Sequence, residues 1–223
     1  MTELSRGLEI REGALGVKGS PDTSGYGGLR QVVSEIPAAE PPYGEWFDKA
    51  MAVLQKSLAK KGIDSHSAIE KVMIYRGELT LMVGRDHLLA VMQSLRDEDE
   101  LSFEVCLGVT GVHWPQERGR EIHVNYPLLS MLHNRRLNVE VALPVSDPRV
   151  DSVTSVYPGN NWHERETYDF FGVVFLGHPG LTRILMPDDW PGFPQRKDYP
   201  LSGVDVEYKG AIIPPPDERR WYT

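Results

Sequence analysis

The chain has 223 residues, 40% of them apolar and 25% charged, and its 32 acidic and 24 basic side chains leave a net charge of -8. Those values fit one globular domain with appendages rather than a disordered or fibrous chain, and the negative balance argues against a nucleic-acid binder, which needs a concentrated basic face. The single cysteine, Cys106, excludes an intrachain disulfide framework, a four-thiolate iron–sulfur cluster and Cys-rich zinc sites. Even apolar-rich segments such as Val139–Val145, interrupted by Glu140, fall far short of the ~20 residues of a membrane-spanning helix. The opening MTELSRGLEI has no apolar h-region, so a cytoplasmic chain is expected.

Residues 1–44 carry eight of the 21 glycines without sustained periodicity and read as an irregular N-terminal extension. From Glu45 the pattern becomes regular. Trp46, Phe47, Ala50, Val53, Leu54 and Leu58 have helical spacing, and Gly62 supplies a stop. Ile69–Tyr75 and Glu78–Val83 read as two strands around Arg76-Gly77. Asp86 is placed to cap a helix through Leu95, ended by the acidic turn Asp97–Glu100.

Three further strands are expected. Phe103, Val105, Leu107 and Val109 alternate with smaller or polar residues; Ile122, Val124 and Tyr126 do the same, as do Leu137, Val139, Val141 and Leu143. Asp147-Pro148 has helix-start chemistry, with Pro158-Gly159 as the end of that helix. Asn160 or Asn161 can cap a last helix, Trp162–Phe171, stopped by Gly172. The fold class is therefore α+β, with a mostly antiparallel sheet of about five strands and helices packed on it, over residues 45–178.

Eight of the 17 prolines lie in residues 179–223, too many for a helix or inner strand. Yet Leu181, Ile184, Leu185, Met186, Trp190, Phe193, Tyr199 and Leu201 make the segment too apolar for free solvent. An extended strap is expected, lying either on its own sheet or on a partner.

The densest chemistry is Trp162–Gly172. At 100° per residue Trp162, Arg165, Glu166 and Asp169 share one face and Glu164, Tyr168 and Phe171 the opposite one; Arg165 and Asp169 have the i,i+4 spacing of an ion pair. An enzymatic reading makes His163, Glu164 and Glu166 a metal-assisted hydrolytic set. Against it, the H-E-x-x-H pattern fails because position 167 is Thr. His113, His123 and His133 are ten residues apart, but spacing alone does not make a zinc site, and His123 falls on the polar face of its strand, where solvent is expected. Cys106, alternating with apolar neighbours, reads as an inert buried thiol. No P-loop and no G-x-S-x-G nucleophile elbow occurs.

The run Glu164-Arg165-Glu166-x-Tyr168-Asp169-x-Phe171-Gly172 resembles the signature of the 30-kDa-type subunit of respiratory complex I. So do His178-Pro179-x-Leu181-x-Arg183-Ile184-Leu185-x-Pro187-Asp188-Asp189-Trp190 and Pro194-x-Arg196-Lys197-Asp198-Tyr199-Pro200-Leu201. The resemblance implies a peripheral-arm subunit of a proton-pumping NADH:quinone oxidoreductase. It implies no cofactor in this chain, with FMN, iron–sulfur clusters, NADH and quinone handled by other subunits. It implies docking on the 49-kDa-type quinone-site subunit, and attachment to the cytoplasmic side of the cell membrane only through partners. Membrane-bound hydrogenases and related dehydrogenase complexes carry similar domains. Glu164, Arg165, Glu166, Asp169, Gly172, Arg183, Asp188, Asp189, Arg196, Lys197, Asp198 and Tyr199 are then the expected interface positions, Glu164 also serving to hold the helix to its own domain.

Overall fold

Alternating apolar residues build a twisted sheet with one face toward two helices. The computed structural model describes residues 36–199 in full and, outside them, the backbones of four short strands. Two of these, Leu8–Glu12 (β1) and Arg30–Ser34 (β2), pair antiparallel within the extension expected to be irregular.

Helix α1 (Phe47–Lys60) follows, and Asp64 accepts the N–H of His66 to start a single turn, α2 (Ser65–Ala68). Strands β3 (Ile69–Tyr75) and β4 (Glu78–Val83) occupy the expected residues and pair antiparallel. Their turn, Arg76-Gly77, has positive φ at both positions, the geometry that a two-residue hairpin's twist requires. Helix α3 (Leu88–Asp97) comes next, then the short strands β5 (Val105–Cys106) and β6 (Thr110–His113) and the long β7 (Ile122–Ser130) and β8 (Arg135–Leu143). The sheet order is β3-β4-β8-β7-β5, with β6 also on β7; the β4–β8 pair is parallel and the others antiparallel.

The core lies on one side of this sheet. Leu79, Leu81 and Val83 of β4, Ile122, Val124, Tyr126 and Leu128 of β7, and Leu137, Val139, Val141 and Leu143 of β8 all point inward. Phe47, Met51, Leu54 and Leu58 of α1 and Leu88, Val91, Met92 and Leu95 of α3 cover them. Each such side chain contributes ~1.5–3 kcal/mol of burial.

Three sequence expectations need correction. The strand over 103–109 is broken, because Pro127 of β7 accepts from Leu107 N but has no N–H to return. The ladder resumes one strand later, in β6. Asp86 caps nothing: it lies in a 3-10 turn, Arg85–His87, and α3 begins after His87 with no side-chain cap. The helix from Asp147 is absent, since its carboxylate is taken by Arg85 at 2.9 Å and Arg149 at 3.3 Å. Arg149–Asp151 is instead a strand (β9) that buries Val150, and the loop and turn after it bury Val153 and Val156. After helix α4 (Asn161–Phe171), strand β10 (Val174–Leu176) pairs parallel to β9. Described residues beyond β10 up to Tyr199 form no helix or strand, as the prolines require; the last two short strands, β11 (Val206–Tyr208) and β12 (Ala211–Ile213), pair with each other.

Candidate interface: the signature helix and its strap

Helix α4 is entered through a 3-10 turn at Pro158–Asn160 and leaves through Gly172, left-handed at φ 75°. Asn160 does not cap the helix N–H groups; its Oδ1 lies 3.1 Å from His163 Nδ1. Three buried polar side chains fix the helix. Glu164, fully buried, accepts Val153 N–H at 2.7 Å and Ser152 Oγ–H at 2.6 Å. Burial pushes its carboxyl up to about 7, outweighing the two neutral donors. Thr167 donates to the Val109 carbonyl at 3.1 Å, joining α4 to the sheet.

Asp169 is also fully buried, yet its environment is the opposite. Oδ2 accepts three successive backbone N–H groups, Ile184 at 3.1 Å, Leu185 at 2.8 Å and Met186 at 3.0 Å, while Oδ1 takes Arg183 Nη1 at 3.1 Å. Burial alone would raise this carboxyl, but the hydrogen bonds from Met186, Leu185, Ile184 and Arg183 outweigh it and hold the group below the usual carboxylate range. The strap thus folds around an anion supplied by the helix.

Arginines fasten the rest. Arg183 Nη2 donates to the carbonyls of Trp190 and Gly192. Arg196 Nε donates to the Phe171 carbonyl at 2.7 Å, and Gln195 N–H to that of Phe170. Both guanidiniums lie over the Phe193 ring. That ring sits where a side chain on residue 172 would be: a Cβ there would come within 2.5 Å of it, so the position demands glycine twice over, for its φ and for the contact. Gly111 of β6 is open for the same reason to the Phe171 ring, also at 2.5 Å.

The expected interface residues therefore separate into two groups. Glu164, Asp169, Gly172, Arg183 and Arg196 serve contacts within this chain, and Tyr199 packs back on Gly192 and donates to the Pro191 carbonyl at 3.3 Å. The Arg165–Asp169 pair does not form. Asp169 turns under the strap, and Arg165 reaches Thr182 at 2.9 Å while stacking 4.5 Å over the Trp162 ring. Facing outward are Trp162 and Leu185, each 62% exposed, with Glu166, Asp188, Asp189 and Asp198. Lys197 is half-buried, and its backbone N–H donates to His113 Nδ1. Spacing could not reveal the Asp169 contacts, because its donors lie 14 to 17 residues away in a segment with no period.

The hydrolytic set is not assembled: His163 engages Asn160, Glu164 is in the core and Glu166 is exposed. Among the described residues no group of three or more His, Cys, Asp or Glu is placed to hold a metal. His123 is not solvent-facing but wedged between Glu117 at 3.0 Å and Glu140 at 2.5 Å. Burial lowers its affinity for a proton, but the two carboxylates prevail and raise it to about 9. Burial also pushes the Cys106 thiol up to about 11, so thiolate chemistry at neutral pH is suppressed.

Residues 81–205 match the family model described as respiratory-chain NADH dehydrogenase, 30 Kd subunit. The chain belongs to that family. It is 62% identical over 218 residues to a NADH-quinone oxidoreductase subunit of Mycobacterium ulcerans (strain Agy99), covering 97% of this chain and 91% of the relative. The equivalent NADH-quinone oxidoreductase chain of Mycobacterium tuberculosis (strain ATCC 25618 / H37Rv) is 60% identical over 97% of this chain and 92% of its own. A chain from the membrane-bound sulfane sulfur reductase, an archaeal respiratory membrane complex, superposes with a TM-score of 0.54 at 25% identity, covering 69% of this chain and 86% of that one. In this 30-kDa-type subunit the family match begins within β4 and takes in α4 and the whole described strap. No described helix is long and apolar enough to cross a membrane.

Proposed function

We propose that this 30-kDa-type subunit is a non-catalytic scaffold of a proton-translocating NADH:quinone oxidoreductase, presenting the outer face of α4 and its strap to the 49-kDa-type quinone-site subunit. FMN, the iron–sulfur clusters, NADH and quinone belong to other subunits in this reading, and the chain is held at the cytoplasmic face of the membrane by those partners. The observation that carries it is how the signature residues are used. Asp169, Arg183, Arg196 and Gly172 tie an extended segment rigidly to a helix, leaving Trp162 and Leu185 outside beside Glu166, Asp188 and Asp189. A rigid surface with large apolar anchors and a charged rim is what a stable contact between subunits needs. The 62% identity to a chain named for NADH-quinone oxidoreductase favours this enzyme over other membrane complexes.

The test is recovery of the tagged chain from detergent-solubilised membranes. Wild type should bring down the other subunits in stoichiometric amounts together with NADH:quinone activity. A Trp162→Ala, Leu185→Ala double variant should fold normally but recover about thirtyfold less complex or worse, since each anchor is worth on the order of 1 kcal/mol or more. Full recovery by that variant would remove this face from the contact.

A further inference from the structure

His113 ends β6 with only 2% of its side chain exposed, at the point where the strap returns to the sheet. Its Nδ1 accepts Lys197 N–H at 3.0 Å, and Asp198 Oδ1 lies 3.7 Å from the same nitrogen. A backbone N–H only donates, so this nitrogen is unprotonated and the neutral ring carries its hydrogen on Nε2. Protonating Nδ1 would set two donors against each other at 3.0 Å and, at the same moment, offer Asp198 a charged donor. One nitrogen cannot serve both partners. We propose that His113 is a proton-operated latch on the end of the strap, holding Lys197 N–H when neutral and exchanging it for the Asp198 carboxylate when charged.

The surrounding charges set the direction. Burial is the largest influence and keeps the imidazole below its usual range; Asp198 of the strap and Glu121, just before β7, favour the proton, while Arg196 and Lys197 of the strap oppose it. A histidine with a depressed folded-state value binds its proton more readily when undocked. The latch is therefore fully closed above the ordinary imidazole value of about 6.5 and opens only as pH falls through the lower value of the docked ring. Asp169 stays ionised throughout that window, so Ile184–Met186 remain anchored and only Lys197–Tyr199 respond. Both partners belong to this chain, so the latch stands or falls independently of the docking reading.

Amide hydrogen exchange resolved by NMR on the full chain, followed from about pH 7.5 downward until the His113 ring has titrated, reads this directly. The protection factor of the Lys197 amide should fall about tenfold or more in a one-proton step that coincides with the His113 ring titration, while that of Leu185, bonded to Asp169, stays constant. His113→Gln supplies a non-titrating acceptor and should abolish the step; Asp198→Asn should move its midpoint to lower pH. A Lys197 amide unchanged across the range, or a step that survives in His113→Gln, overturns the latch. Should His113→Gln lose Leu185 protection through misfolding, Asp198→Asn decides alone, an unmoved midpoint being the negative result.

Discussion

Glu164 and Asp169 lie five residues apart on one helix, both sealed from water, yet their ionisation is biased in opposite directions. Glu164 has two neutral donors and no cation, so ionising it is costly; Asp169 has three backbone N–H groups and a guanidinium, so ionising it is favoured. The stability consequences follow in sign. A carboxyl raised to about 7 from 4.5 binds its proton more tightly in the folded chain, so folding gains from acidification. That contribution is complete below about pH 4.5 and is lost as pH rises through 7, amounting to about 3 kcal/mol on the order-of-magnitude scale of ~1.4 kcal/mol per unit. Glu164→Gln keeps the acceptor for Val153 N–H, and Ser152, which can donate or accept, meets the new amide. Urea unfolding at about pH 5 and about pH 8 should show the variant at least as stable as wild type at the higher pH, with less difference between the two. A variant unfolding several kcal/mol more easily at the higher pH would mean that the ionised carboxylate is structurally required.

At the scale of elements, local pattern was enough wherever neighbours in sequence are also neighbours in space. Strands β3 and β4 with their Arg76-Gly77 turn, and α4 with its Gly172 stop, were readable because periodicity agrees there with the turn and the C-terminal glycine, although the expected Asn160 cap does not form. The strand broken at Leu107 was not, because the cause is Pro127 on the facing strand. The Asp147 segment misleads for a related reason: its N-cap residue is claimed by Arg85, 62 positions away. In the strap, composition disclosed an extended apolar segment, but the choice between its own sheet and a partner depended on Asp169, whose helical neighbour Arg165 offered a plausible false partner. Gly172 gives the test of how tightly strap and helix are matched. Gly172→Ala combines a left-handed backbone, costing ~1 kcal/mol or more, with a Cβ 2.5 Å from Phe193 and 2.8 Å from Arg196 Nη2. Gly177→Ala has a similar φ of 78° with nothing within 4 Å. Limited trypsin digestion should therefore cut Gly172→Ala at Arg196 and Lys197 several-fold faster than wild type, and Gly177→Ala at nearly the wild-type rate. Equal acceleration in both would assign the effect to backbone strain alone.

For the whole molecule, the sheet with α1 and α3 forms a core that the strap barely enters, with only Leu181 of the strap packing against it among the described residues. The strap instead neutralises α4: without it Asp169 would be an anion stripped of all four donors, a loss on the order of 3–5 kcal/mol when such a partner set is removed from a buried charge. A domain of this size is stable by ~5–15 kcal/mol, so the deficit is survivable if Asp169 can turn toward water. Truncation after His178 should therefore leave a chain with native-like far-UV circular dichroism and a lowered unfolding midpoint, its sheet intact and α4 frayed at its end. Asp169→Asn in the truncated chain should recover part of the lost stability, because the charge that has no partner is gone. Neither form should join the oxidoreductase, since truncation removes Leu185 and the segment that holds α4 in position. Normal incorporation of the truncated chain, with NADH:quinone turnover per complex unchanged, would show that the strap only completes this subunit's own fold and that partners bind elsewhere.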